Sequence, residues 1–464
     1  MSRNILSIAA LLIASSTALA QTVHAPVTPA PTPAPTHVPA PAAEAAPVAT
    51  VPAAPAPAEV PAAPIVTAPV VAPVVAEPAP AQKPAVSAAG TKISLYGFAQ
   101  LNAVWEDGVT NTSANNWSYF APSDNKNGGS RTLLNVNHSR FGINFSDSPT
   151  EGGTELSGKI ETDFNNSNSR TTNGAGGFRI RHSYGQVKFS NIDLALLFGQ
   201  TSNVISPRDP SILNEGTGNY TGNIGSSRVP QIRITKGLGP AEIAVAAIDD
   251  RGAGAPVFPA VQGRVGLKVP AGWAGEKQNL EVGVSGHFAS EKNTDTDTKN
   301  KSSVKVPKSW SANADLNLPI IDIIGLSGEF FYGQNLKNYA NGSLGLDTSN
   351  IDVTSAKYKE GDGVKSFGFW TNLSVKLPAS LSLGGGFGME SIANDDILKA
   401  KTRSGNTGIF GNLRYNFIPS AFVGIEYWHI STDYTDGVDA SGKAVSTPSG
   451  AINRIELAFN YAFK

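Results

Sequence analysis

Arg454-Ile455-Glu456-Leu457-Ala458-Phe459-Asn460-Tyr461-Ala462-Phe463 is the stretch whose reading decides the fold. Ile455, Leu457, Phe459, Tyr461 and Phe463 stand at every second position, with Arg454, Glu456, Ala458, Asn460 and Ala462 between them. That period belongs to a β-strand with one apolar face and one small or polar face. Its length suits a tilted strand crossing a bilayer, and its aromatic end suits a membrane interface. A strand of a soluble sandwich alternates in the same way, so the decision rests on whether the pattern recurs.

It recurs from Thr91 to the C-terminus. Segments at 92–105, 132–146, 154–165, 178–189, 193–201, 229–237, 240–250, 260–270, 278–289, 306–318, 323–334, 364–377, 380–390, 407–418, 420–432 and 452–463 carry it. Connections after the odd-numbered segments are long and polar, as at 106–131, 202–228, 335–363 and 433–451. Those after the even-numbered ones are tight, as at Ser190-Asn191-Ile192, Leu238-Gly239, Pro378-Ala379 and Pro419. Long external loops, short periplasmic turns and an even strand number form the signature of an outer-membrane barrel. A soluble sandwich has no reason to sort its loops this way. The sequence predicts an all-β fold: a transmembrane antiparallel β-barrel of about sixteen strands over residues 91–464, large enough to enclose water.

Composition narrows the class further. The 464 residues include 47 Gly and no Cys, and 16% are charged. No apolar run reaches the length of a transmembrane helix, which excludes a helical membrane protein. Arg3, the apolar run Ile5 to Ala14 and the small-residue site Ala18-Leu19-Ala20 read as a secretory signal peptide over residues 1–20, cleaved before Gln21. Without Cys there is neither a disulfide nor a lipoprotein anchor, and closure depends on hydrogen bonding. Two Met and six His leave little material for a metal or redox centre, and no cofactor is expected.

Residues 21–90 are a separate zone holding 18 of the 32 prolines. Proline this dense removes backbone donors and fixes φ, so the segment is expected to be a disordered, extended periplasmic tether. At about 3.1 Å per residue its reach is at most roughly 210 Å. An inert spacer and a contact with the cell wall or a partner are both consistent with it.

Facing follows from the period. Leu156, Ile160 and Phe164 are expected to meet lipid, with Glu155, Lys159, Glu161 and Asp163 inside. Ile409, Leu413, Tyr415 and Phe417 likewise point out, and Asn412, Arg414 and Asn416 in. The third long loop, Ser202 to Arg228, is the expected constriction, with Arg208, Asp209 and Glu215 as its formal charges.

Ser139-Arg140-Phe141-Gly142-Ile143-Asn144, Glu161-Thr162-Asp163-Phe164, Phe178-Arg179-Ile180-Arg181-His182-Ser183-Tyr184-Gly185 and Phe198-Gly199-Gln200-Thr201 follow one another in order. Together they resemble stations of the DcaP-type trimeric porins, a likeness that covers residues 91–464 and is most specific over 139–202. The resemblance implies a sixteen-stranded homotrimer in the outer membrane of a Gram-negative bacterium, an inward-folded third loop and passage of small anionic solutes such as dicarboxylates. Two departures are visible: Ser202 stands where the family carries Trp, and the Pro/Ala tether stands in place of a coiled-coil N-terminus.

Arg3 and Lys83 against Glu44, Glu59 and Glu77 in residues 1–90 leave 34 basic and 34 acidic residues in the rest, so net charge predicts no selectivity. Distribution is more informative. Arg140, Arg179, Arg181, Arg233 and Arg264 fall on inward positions of the early strands, whereas Glu281, Asp315, Glu329, Glu390, Glu426 and Glu456, with Arg414 and Arg454, fall on the later ones. Guanidinium groups bind carboxylates in bidentate fashion, so this side of the wall reads as an anion path. The same arginines also read as partners of ion pairs that stiffen the wall, and both readings stand at this stage.

Other chemistry finds no constellation. His182-Ser183 and His138-Ser139 are neighbours in strands and face opposite sides, which excludes a base and nucleophile pair. Asp295, Asp297, Asp433, Asp436 and Asp439 read as solvated loop charge before they read as Ca²⁺ ligands. No phosphate-binding glycine loop and no nucleic-acid footprint is present. A diffusion porin is the expected function, with outer-membrane lipid, small anionic solutes and further copies of the chain as partners; the alternatives are a structural anchor joining membrane to cell wall and a barrel enzyme.

Overall fold

The computed structural model describes residues 85–88, 90–109, 119–123, 128–166, 177–213, 221–225, 227–249, 259–290, 308–339, 342–438 and 444–463. The wall is made of β1 (Thr91–Val109), β2 in two pieces (Gly129–Asn135 and Arg140–Asp147), β3 (Thr154–Asn166), β4 (Gly177–Phe189), β5 (Leu194–Ser202) and β6 (Arg228–Leu238). It continues with β7 (Ala241–Ile248), β8 (Ala260–Pro270), β9 (Asn279–Ala289), β10 (Ser309–Ile321) and β11 (Ile324–Gln334). Then follow β12 (Lys365–Leu377), β13 (Leu381–Ile392), β14 (Arg403–Ile418), β15 (Ala421–Tyr434) and β16 (Gly450–Phe463). These are the sixteen segments expected from the alternation.

Each strand pairs antiparallel with its chain neighbours. β16 returns to β1 with a register running from Glu106↔Arg454 to Gly97↔Phe463, and the sheet closes. Closure pairs backbone groups that a bilayer could not satisfy.

Side chains sort as the period requires. On β16 Ile455, Leu457, Phe459, Tyr461 and Phe463 lie exposed on the outer surface, while Arg454, Glu456 and Ala458 are buried inside. Leu156, Ile160, Ile409, Leu413, Tyr415 and Phe417 are likewise exposed outside. In water such a surface would be costly, at about 25 cal/mol per Å² of apolar area; in lipid it is the surface the solvent demands.

Three features depart from the expected pattern. Regular backbone begins before Thr91, because Ala85–Ala88 pairs with Thr91–Ser94 and prolongs the row of β16. Pro84 is the last proline of the run, so from Ala85 onward every backbone N–H can enter the ladder. Gly90, at φ 89°, makes the turn.

The interior, second, is not uniformly polar. Phe331, Trp370, Phe410 and Trp428 occupy inward positions and are buried. Their partners come from the loop between β5 and β6, which folds into the barrel. Ile212 packs with Trp370, Phe410, Trp428 and Ile430, while Ile205 and Ile224 pack with Val229, Ile248, Phe331 and Leu336. The loop between β11 and β12 builds a separate cluster at the outer end, where Leu344, Leu346, Ile351 and Val364 meet Ile392, Ile397 and Leu398.

Gly97, third, belongs to the outward face but is buried beneath the ring of Phe463. Of the small outward residues on β1, Ala99 is exposed and Ala103 half-buried.

Candidate functional site

The lumen face of β2, β3 and β4 carries one charged network. Arg179 donates through Nε and Nη2 to the two oxygens of Asp163, at 2.9 and 2.5 Å. Arg181 donates to Glu161 at 2.7 Å and to Asp163 at 2.9 Å. Arg140 Nε lies 3.5 Å and Lys159 Nζ 3.3 Å from Glu161. A bulge opposite Glu161 and Thr162 inserts Arg181 between Ile180 and His182, so Arg179, Arg181 and His182 share the lumen side. His182 Nδ1 sits 2.9 Å from the Thr201 hydroxyl.

Tyr96 completes the network by donating its hydroxyl to Glu161 at 2.6 Å. It can do so because position 142 is glycine, where an added Cβ would come within 2.4 Å of that hydroxyl. Ser139 accepts the Gln100 N–H at 3.0 Å, beside the interruption of β2. The motif residues quoted above are therefore one connected assembly. Arg228, at the start of β6, lies within electrostatic reach of Arg140, Arg179, Arg181 and Asp209. Around this corner of the lumen the five cations Arg140, Lys159, Arg179, Arg181 and Arg228 outnumber the three carboxylates Glu161, Asp163 and Asp209.

Arg208, in the third loop, points to the opposite side. It donates to Asp315 of β10 at 2.9 Å and to Glu281 of β9 at 3.2 Å. Arg264 on β8 holds the same Asp315 carboxylate at 2.9 and 3.0 Å. Asp209 is exposed, and Glu215 lies outside the described residues. Arg233 on β6 has no ion pair among the described residues and lines a cavity of about 610 Å³ beside the Gly239-Pro240 turn, with Glu242, Lys188 and Lys268 also in its wall.

The acids of the later strands face loop backbone and polar side chains. Glu329 accepts the Arg208 N–H, Glu390 the Leu344 N–H and Glu426 the Leu213 N–H, at 2.8, 3.0 and 2.9 Å. Glu456 takes an Asn102 amide hydrogen at 2.6 Å, and Arg454 binds Glu106 at 2.8 Å. Arg414 stacks over Phe422 at 4.3 Å. Asp433 accepts from Ser449 and Asp436 from the Thr447 N–H, while Asp295, Asp297 and Asp439 lie outside the described residues. No group of three potential metal ligands occurs among the described residues.

Sequence reasoning assigned the arginines and acids to one face of their strands and left open whether the arginines meet solute or carboxylates. Glu161 and Asp163 sit among the arginines, and the inward aromatics were not foreseen. Their signal is present: Phe330-Phe331, Phe369-Trp370, Ile409-Phe410 and Tyr427-Trp428 are apolar doublets in strands with one polar face. An apolar residue on the wet side needs a second covering element.

A closed, sixteen-stranded barrel with a lipid-facing apolar exterior, a charged lumen and an infolded third loop defines an outer-membrane channel of the porin type. Residues 76–263, a stretch that holds all four motifs, match the family model described as DcaP outer membrane protein. The protein is thereby placed in the outer membrane of a Gram-negative bacterium.

Solved structures show the same fold. The outer membrane channel DcaP of Acinetobacter baumannii is 20% identical, with a TM-score of 0.59 over 81% of this chain and 99% of that one. The anion-selective porin from Comamonas acidovorans is 11% identical, with a TM-score of 0.53 over 80% and 100%. The trimer form of in-vitro folded OmpT of Vibrio cholerae is 12% identical, with a TM-score of 0.51 over 81% and 100%. A comparison with curated proteins gives no match.

Proposed function

We propose that this porin passes small hydrophilic solutes by passive diffusion, with a preference for anions of the dicarboxylate class, through a lumen narrowed by the third loop. One observation carries the reading: the two walls spend their charges differently. On β2 to β6 the guanidinium and ammonium groups exceed the carboxylates, whereas Glu329, Glu390 and Glu426 on the later strands are occupied by backbone N–H groups of infolded loops. A carboxylate so engaged projects less field into the water than an arginine in excess, and a narrow passage focuses what remains. The likeness in fold to an anion-selective porin is consistent with this.

The assembly we infer is a homotrimer. Support comes from the trimer form of a fold relative and from Ala99 and Ala103 on the outer face of β1, where small residues permit close packing in lipid. Residues 1–20 remain a proposed signal peptide and 21–84 a proposed periplasmic tether, with cell-wall contact as its suggested use.

Reconstitution in a planar bilayer under a KCl gradient tests the selectivity. A reversal potential on the chloride side, reduced by added succinate, is expected. A potential on the potassium side removes the anionic reading and leaves a general porin.

A further inference from the structure

The third loop is fastened by a repeated arrangement. Glu329 of β11 and Glu426 of β15 each present one carboxyl oxygen to a loop N–H and the other to an indole. For Glu329, Oε1 accepts from the Arg208 backbone at 2.8 Å, and Oε2 accepts from Trp370 Nε1 at 3.2 Å and from the Ser206 hydroxyl. For Glu426, Oε2 accepts from the Leu213 backbone at 2.9 Å and from the Asn412 amide at 2.8 Å, and Oε1 from Trp428 Nε1 at 2.6 Å. Between them Asn372 of β12 accepts the Ser211 N–H at 3.0 Å, and Asn412 of β14 donates to the Ser211 carbonyl at 2.7 Å. Ile212 enters the pocket formed with Trp370 and Trp428.

We propose that Glu329 and Glu426 are positioning residues that hold Ser206–Leu213 as a strap against the later strands and so set the open cross-section left along the basic wall. This rests on the reading of the barrel as a diffusion channel, though not on its anion preference. A backbone strap released from its acceptors would carry unsatisfied N–H groups, so the loop is either fastened here or displaced into the water of the lumen. The carboxyl group suits the task because both its oxygens accept. A glutamine in its place must turn an NH₂ group toward a backbone N–H or an indole N–H, and neither can reverse its role. The inward acids of β11 and β15 thus act on the solute path through the loop and not by direct attraction of cations.

Single-channel recording of E329Q, E426Q and the double variant tests this. Higher open-channel conductance with added flicker is expected, with W370F giving a smaller change because it removes one donor and leaves the strap contact. The native chain has no Cys, which permits a direct rescue. Ser211→Cys with Asn372→Cys, oxidised in the E329Q/E426Q background, should return conductance and noise to native values, and reduction should release them again. Unchanged conductance in the heat-modifiable, correctly folded double variant overturns the proposal. So does conductance that rises but is not restored by the oxidised cross-link. A change in conductance at unaltered reversal potential supports the strap whatever the fate of the anion reading, whereas loss of anion preference in the native channel leaves the strap untouched.

Discussion

The ring of Phe463 lies where a side chain at Gly97 would stand: a Cβ there would come within 2.6 Å of the ring and 2.4 Å of the Arg140 carbonyl. The last strand therefore closes on the first across a glycine, with the aromatic of one filling the notch of the other. Gly97→Val should obstruct this seam. Overpacking of this kind costs about 1–3 kcal/mol, and the backbone carbonyl cannot move aside. A lower folded fraction in the gel-shift assay of unheated samples checks it, and Gly97→Ala should fall between.

Arg181 and Arg233 separate the two readings of the basic wall. Arg181 is 3% exposed and bound to both Glu161 and Asp163, so Arg181→Ser takes one guanidinium from two buried carboxylates, and loss of Arg179 as well leaves Asp163 without either of its arginines. Breaking a buried pair from one side costs about 3–5 kcal/mol. Replacement of Arg179 and Arg181 together is thus expected to weaken folding markedly, contrary to the tolerance ordinarily seen at lumen positions. Denaturant midpoints in detergent measure it.

Arg233 has no such partner, and Arg233→Ser should leave the midpoint close to native while moving the reversal potential toward the cation side. The shift should shrink with salt, since the Debye length falls from about 10 Å at 0.1 M to about 3 Å at 1 M. Equal shifts at both concentrations would assign the effect to pore shape instead of charge.

The loop between β11 and β12 should loosen in acid. Burial alone would raise the Asp347 carboxyl, but the Lys337 ammonium at 2.6 Å and the N–H and hydroxyl of Ser349 outweigh it and hold the group below the usual carboxylate range. A depressed folded value means that the contribution is present above the ordinary aspartate pKa of about 3.9 and is lost as pH falls through the lower folded value. Because the pair is substantially exposed, less than about 1 kcal/mol is involved. Hydrogen exchange across Leu344–Ile351 should rise on acidification, and Asp347→Asn should show part of that rise at neutral pH.

Proteinase K should remove the chain up to about residue 84 and stop at the pairing of Ala85–Ala88 with β1. Proline density motivates the first expectation and the antiparallel ladder the second. A protected fragment from within residues 21–84 would argue for a bound partner there.

In chemical cross-linking the native protein in mild detergent should stop at three copies, and Ala99→Trp should lower the trimer fraction by filling the outer face of β1. A monomer at every concentration would remove the trimeric assembly.

The alternation of Ile455 to Phe463 was legible without a structure because it is local: neighbouring side chains on a strand point to opposite faces, and a bilayer allows only one arrangement of wet and dry. Strand number, loop sorting and the facing of Arg140, Arg179 and Glu426 follow from the same period. What Arg208 and Leu213 touch does not. Leu213 reaches Glu426 across 213 positions and Arg208 reaches Glu329 across 121, and nothing periodic links a loop to the wall it will meet. Only closure of the barrel brings β11 and β15 around to the loop that leaves β5. Whether an inward carboxylate faces water, an arginine or a loop N–H is therefore decided by the tertiary structure, and with it the charge that a passing solute meets.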